Sequence, residues 1–137
     1  MSAAAISLAL RRKVVERAKA CCEYCRVHSG DVLFPHEPDH VRSEKHGGQT
    51  TLENIAFAWF HCNRHKGSDL GSVDSETGNL TPLYNPRAQK WSEHFLLHGA
   101  VIVPRSAEGR VTVALLKMNA PDRIRVRQAL ADSARYP

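Results

Sequence analysis

Residues 38–67 read PDHVRSEKHGGQTTLENIAFAWFHCNRHKG. The stretch opens on an acid beside an imidazole, Asp39-His40, directly after Pro38. It passes through the paired glycines Gly47-Gly48 and closes on a basic segment around Cys62 and Asn63. Neighbouring residues on a regular strand point to opposite faces, so Asp39 and His40 can serve one site only where a strand ends or bulges. Pro38 before them and the glycine loop after them supply such an irregularity. A carboxylate is a hard oxygen ligand for a divalent cation, and an imidazole is a base that takes a proton near neutral pH. An Asp-His pair is common, however, and decides nothing without its context.

That context is a series of short elements. VLFPHEPDHV, apolar and broken by proline, fits a short strand or strand end. SEKHGGQTTLEN is a loop in which paired glycines allow backbone angles other residues resist. From IAFAWFHCNRHKG a short helix ending near Gly67 is expected, with His65 and Lys66 at its negative end. Upstream, Ile6, Leu8, Leu10, Val14, Val15 and Ala18 mark one face of a helix over residues 6–20 that stops at the knuckle CCEYC. Downstream, residues 68–90 are rich in turn formers and read as an ordered loop with one strand around Leu80–Tyr84. WSEHFLLHG reads as a short helix or a strand pair, AVIVP as a strand and EGRVTVALLKMN as a helix. APDRIRVRQALADSARYP reads as a last helix, with Pro121 in its first turn and apolar positions Ile124, Val126, Ala129 and Leu130.

The chain has 137 residues, 42% hydrophobic and 24% charged. This suits one domain over residues 1–137, with a core at about 20–70 and an extension over about 71–137. No apolar run is long enough for a membrane span. The apolar N-terminal stretch carries its charges after it rather than before it, so a secretory leader is not expected and a cytoplasmic location is. The formal charge of +5 favours polyanionic partners such as nucleic acid, weakly on its own. Cys21, Cys22, Cys25 and Cys62 are too few and too unevenly placed for a disulfide framework and point to metal binding instead.

In order, CEYC, DHV, KHGG, TTLENIA and HCNRHKGSD resemble the HNH endonuclease family, also called ββα-metal or His-Me finger nucleases, over residues 22–69. ETGNLTPLYNPRAQKWSEHF and the tail to ARYP look like an extension found in a bacterial subgroup. The resemblance implies an α+β fold with a small ββα-metal core between an N-terminal helix and a C-terminal helical and strand extension. It implies a metal-dependent endonuclease hydrolysing phosphodiester bonds of DNA. His40 would be the general base and Asn54 a brace that ties down the loop and orients it. One Mg²⁺ or Mn²⁺ would be held by Asp39 and by Asn63, which stands where the last signature histidine often occurs. Arg42, Lys45, Arg64 and Lys66 would contact phosphates, positioning DNA without reading its sequence.

The family often carries two cysteine pairs that close a four-thiolate zinc knuckle. Here Cys22, Cys25 and Cys62 fit three positions, and Trp59 stands at the fourth. A structural zinc wants four ligands. His61 is on a diverging face, Cys21 is awkward, and His65 shares a face with Cys62 but is not where the family places a ligand. Two outcomes stay open, a retained zinc and a knuckle packed by the indole. Other readings stand beside the enzymatic one: His40 satisfied by a carbonyl, Asn63 as a helix N-cap, Glu37 as a supporting acid, and the cations as solvated charges. Two rivals cover the whole chain. One is an HNH-like module that binds nucleic acid without cutting. The other is a zinc-ribbon-like protein, which would need four good zinc ligands and no Asp-His pair.

Overall fold

A computed structural model describes residues 5–137; the first four residues of the apolar N-terminal stretch lie outside them. Helix α1 spans Leu8–Ala18. Ser7 caps it by accepting the Leu10 N–H at 3.1 Å, and Lys19, at φ 54°, ends it. Its buried residue, Val14, packs with Ile55 and Phe57. The expected stop before CCEYC is where the helix ends. The knuckle then turns back on itself, with Cys22 N–H donating to Val27 O and Arg26 N–H to Cys22 O, both at 2.9 Å.

Strands β1 (His36–His40) and β2 (Ile55–Trp59) form an antiparallel pair in unbroken register from His36 opposite Trp59 to His40 opposite Ile55. Helix α2 (Phe60–Lys66) follows β2 with Trp59 as its N-cap. The chain therefore makes a ββα unit. The helix expected in IAFAWFHCNRHKG ends at Lys66, before Gly67, but its first five residues are strand. All five are buried, which removes the alternation that marks a half-buried strand and leaves periodicity unable to tell strand from helix. Asn63 lies inside α2 and is not an N-cap.

The extension carries two more hairpins, β3 (Gly71–Val73) with β4 (Leu80–Pro82), and β5 (Phe95–His98) with β6 (Val101–Pro104). Of the first pair, the sequence pointed to β4 alone. Trp91–His94 forms a one-turn helix, α3, so WSEHFLLHG is a helix followed by a strand. Helices α4 (Ala107–Leu115) and α5 (Pro121–Asp132) stand where EGRVTVALLKMN and APDRIRVRQALADSARYP placed them. The expected apolar face of α5 holds in part, with Val126 and Leu130 packed against the core. Arg123 and Arg127 are its buried residues, while Ile124, Val126 and Leu130 are half-buried and Ala129 is exposed. Arg127 Nε donates to Ala100 O at 2.8 Å and its Nη2 to Asn119 at 3.0 Å. Tyr136 Oη donates to Cys25 O at 2.8 Å, tying the end of the chain to the knuckle. Among the described residues, no helix is long and apolar enough to cross a membrane.

Candidate active site

His40 is the last residue of β1, so the strand end, not a bulge, frees Asp39 and His40 from strict alternation. Both are buried, at 0% and 1% exposure. Asp39 Oδ2 lies 2.9 Å from Lys66 Nζ in an ion pair whose side chains are about equally enclosed, and Lys66 also donates to His40 O at 2.8 Å. Lys66 thus fixes α2 against the end of β1. It is 1% exposed, which corrects its expected place among the phosphate contacts: its ammonium is spent on Asp39 and the strand. Asp39 Oδ1 is buried without a partner. Burial raises the Asp39 carboxyl above its ordinary range, against the charge and hydrogen bond of Lys66 and the weaker charge of His40.

Asn63 stands one turn before Lys66 in α2 and so shares the helix face that meets Asp39. Its side chain is half-buried. An unpartnered buried carboxylate oxygen and an amide oxygen on the helix face that carries Lys66 are hard, neutral-to-anionic donors suited to Mg²⁺ or Mn²⁺. The donor set fits a divalent ion of that kind.

His40 Nε2 lies 2.9 Å from Thr50 Oγ1, and His40 Nδ1 is buried with no partner. No backbone carbonyl satisfies either ring nitrogen among the described residues. Nothing in the spacing singled out Thr50, since threonine in a loop carries no distinctive signal. The loop itself is held by Asn54. Asn54 Oδ1 accepts the Arg42 N–H at 3.0 Å, and its Nδ2 donates to Arg42 O and Gln49 O, each at 2.8 Å. Gly48 lies in the same turn, so close that a Cβ there would sit 1.6 Å from Arg42 O, which excludes any other residue without backbone movement. Loop and strand end are therefore clamped where His40 enters.

Arg42, Lys45 and Arg64 are exposed, with Arg42 Nη2 donating to Gly47 O at 3.0 Å. Glu37 is ion-paired with Arg11 at 3.2 Å.

The knuckle forms a second cluster. The sulfurs of Cys22, Cys25 and Cys62 lie within 4.8 Å of one another, and all three residues are buried. They could hold a metal ion, zinc being the natural candidate for thiolates. Among the described residues no His, Asp, Glu or fourth Cys joins them, so neither His61, His65 nor Cys21 supplies the fourth ligand. Trp59 is 3% exposed and donates through Nε1 to Phe34 O at 3.1 Å. Buried Arg123 lies between the two features, its Nη2 2.9 Å from Cys62 Sγ and its guanidinium 5.3 Å above the Trp59 ring. Burial pushes the Cys22 thiol up to about 12 and Cys62 well above the ordinary thiol range. At Cys25 burial acts the same way, but hydrogen bonds from Cys22 and Cys62 and the Arg123 charge outweigh it and hold the thiol well below that range.

No curated protein and no solved structure matches the chain. Residues 22–69, from the first knuckle cysteine to the end of the loop after α2, do match a family model described as HNH endonuclease, a family of nucleases that use divalent metals and act on DNA.

Proposed function

We propose that the protein is a metal-dependent endonuclease that hydrolyses phosphodiester bonds of DNA at the end of β1. The observation that carries this reading is the pair of buried, unpartnered polar atoms, His40 Nδ1 and Asp39 Oδ1, in a ββα segment that matches the HNH endonuclease model. Buried polar atoms are almost always satisfied, and orphaned ones mark a place where water, an ion or a substrate belongs.

The residues divide the work. With Nε2–H donated to Thr50 Oγ1, His40 keeps its lone pair on Nδ1 and takes the proton of the attacking water there. Thr50 fixes both the tautomer and the ring, as a partner on the second nitrogen does for a working imidazole. Asn54 holds the loop that carries Thr50, so it positions the base without touching the reacting atoms. Asp39 and Asn63 would hold the divalent ion. When bound, that ion supplies charge stabilisation for the phosphate and the departing oxygen. Lys66 aims Asp39, and its charge partly offsets the desolvation of the carboxylate. Arg42, Lys45 and Arg64, all exposed, would neutralise flanking phosphates.

The test is cleavage of linear duplex DNA by the purified protein with Mg²⁺ or Mn²⁺, with Thr50→Val beside the wild type. Cutting in metal and a loss of one to two orders of magnitude in the variant are expected from a displaced base. DNA binding without cutting in either metal would favour the non-cleaving module.

A further inference from the structure

A second surface feature lies outside the residues so far assigned. A cleft of 460 Å³ is lined by Arg17, Lys19, Arg26, Lys90, Trp91 and Tyr84. Four of its residues are cationic and one, Glu23, is acidic. Glu23 is already neutralised, because it is ion-paired with Arg87 and accepts the Phe57 N–H at 2.8 Å. Arg26 stands 4.7 Å over the Trp91 ring, and the Trp91 indole is fixed by donation to Tyr24 O at 2.8 Å. Arg26 and Trp91 are therefore held together, Arg17 is tied to backbone carbonyls, and Lys19, Arg26 and Lys90 are exposed. Lys19 and Arg26 also stand at positive φ, 54° and 74°, a conformation that costs free energy for residues other than glycine. The carbonyl end of α1, which would repel an anion, is closed by N–H donation from Lys19, Ala20 and Cys21.

The cleft is also next to the proposed site. Arg17 donates to Leu52 O at 2.6 Å and to Ile55 O, two carbonyls of the segment that carries Asn54. Tyr84 separates the cleft from a neighbouring depression lined by Arg42, Lys66 and Asn85. From the charge, the neutralised acid and the adjacency, we infer that this cleft binds the phosphate backbone of the DNA duplex beside the bond to be cut. The inference rests on the nuclease reading and adds a docking surface to it. The contacts are to phosphate, so they position the duplex and carry no sequence information.

The experiment is duplex affinity against salt concentration, with a 30-base-pair DNA in EDTA so that nothing is cut. The variants are Lys19→Asn/Lys90→Gln, Arg26→Asn and, as a control on α5, Arg125→Gln. Asparagine tolerates positive φ, so Lys19 and Arg26 can be replaced without new strain. Removing one cation from a phosphate lowers the log–log salt slope by about 0.9, a factor of about eight at 0.1 M salt, so the double variant should bind about 60-fold more weakly. Arg26→Asn should weaken binding by about eightfold, as expected for one phosphate. Arg125→Gln should match the wild type. Slopes unchanged in both cleft variants, or a weakening equal to that of Arg125→Gln, would overturn the cleft while wild-type binding and cutting kept the nuclease reading alive. A wild type that binds no duplex at all would overturn both.

Discussion

Replacing Lys66 with methionine tests the junction on which the site depends. The Lys66 and Asp39 side chains are 2% and 1% exposed and 2.9 Å apart, and Asp39 Oδ1 has no other partner. Methionine removes the ammonium and leaves a carboxylate in a dry interior. Breaking a buried ion pair from one side costs about 3–5 kcal/mol, a large part of the roughly 5–15 kcal/mol that holds a domain together. The measurement is urea denaturation at pH 7 in EDTA, so that no metal compensates for the missing charge. Asp39→Asn/Lys66→Met should recover much of the deficit, because removing both charges is less costly than stranding one. The pH dependence follows from the raised Asp39 carboxyl. A folded-state value above the unfolded one penalises the ionised form, so the penalty is complete at high pH and fades as pH falls toward the unfolded value of about 4. Losing Lys66 raises that carboxyl further, so the variant should gain on the wild type as pH drops from 7 toward 4. A deficit under about 1 kcal/mol, well below a buried pair's cost, or a gap that widens in acid would refute the buried pair as the anchor of α2.

Three other consequences follow from single contacts. Asn54→Ala removes three hydrogen bonds of 2.8–3.0 Å and should lower stability by about 1–3 kcal/mol, with amide exchange rising through residues 41–54; unchanged exchange would show that the brace is dispensable. Trp59→Cys should raise the zinc bound per purified chain by supplying a fourth thiol, and Trp59→Cys/Arg123→Met should raise it further by removing the guanidinium; equal zinc in all three proteins would show that position 59 does not limit the site. Arg110 hydrogen bonds hold the Asp74 carboxyl well below the ordinary carboxylate range, so that pair stabilises the fold above pH about 4 and the benefit is lost as pH falls through the lowered value. Acid titration of thermal stability should therefore show Asp74→Asn closest to wild type at the lowest pH and furthest from it at pH 7; a constant gap would contradict the linkage.

Much of the site is legible in sequence because its chemistry is local. Asp39, His40, the glycine pair and Asn54 lie within sixteen positions, and a loop between two strands is all that is needed to bring them together. Pro121 in the first turn of α5 and the stop before CCEYC are local too. The features that sequence hides depend on distance along the chain. Strand β2 is buried on both faces, so its run of apolar residues carries no period. Lys66 looks like any surface cation in CNRHKG until Asp39, 27 positions away, is placed against it. Arg123 belongs to the knuckle only through the fold, 61 positions from the cysteine it touches. A basic residue on a helix also reads as its solvent face, which is why the apolar pattern of α5 finds Val126 and Leu130 against the core but misses buried Arg123 and Arg127. Thr50 gives no signal because a hydroxyl partner for an imidazole has no required spacing.

The central claim is that His40 is the base of a metal-dependent nuclease, and nicking of supercoiled plasmid tests it most directly. Purified wild type should nick with Mg²⁺ or Mn²⁺ and stop in EDTA, and His40→Ala, folded by its thermal transition, should fall by at least about 10²-fold, the usual contribution of a general base. Equal nicking by wild type and His40→Ala would contradict the account.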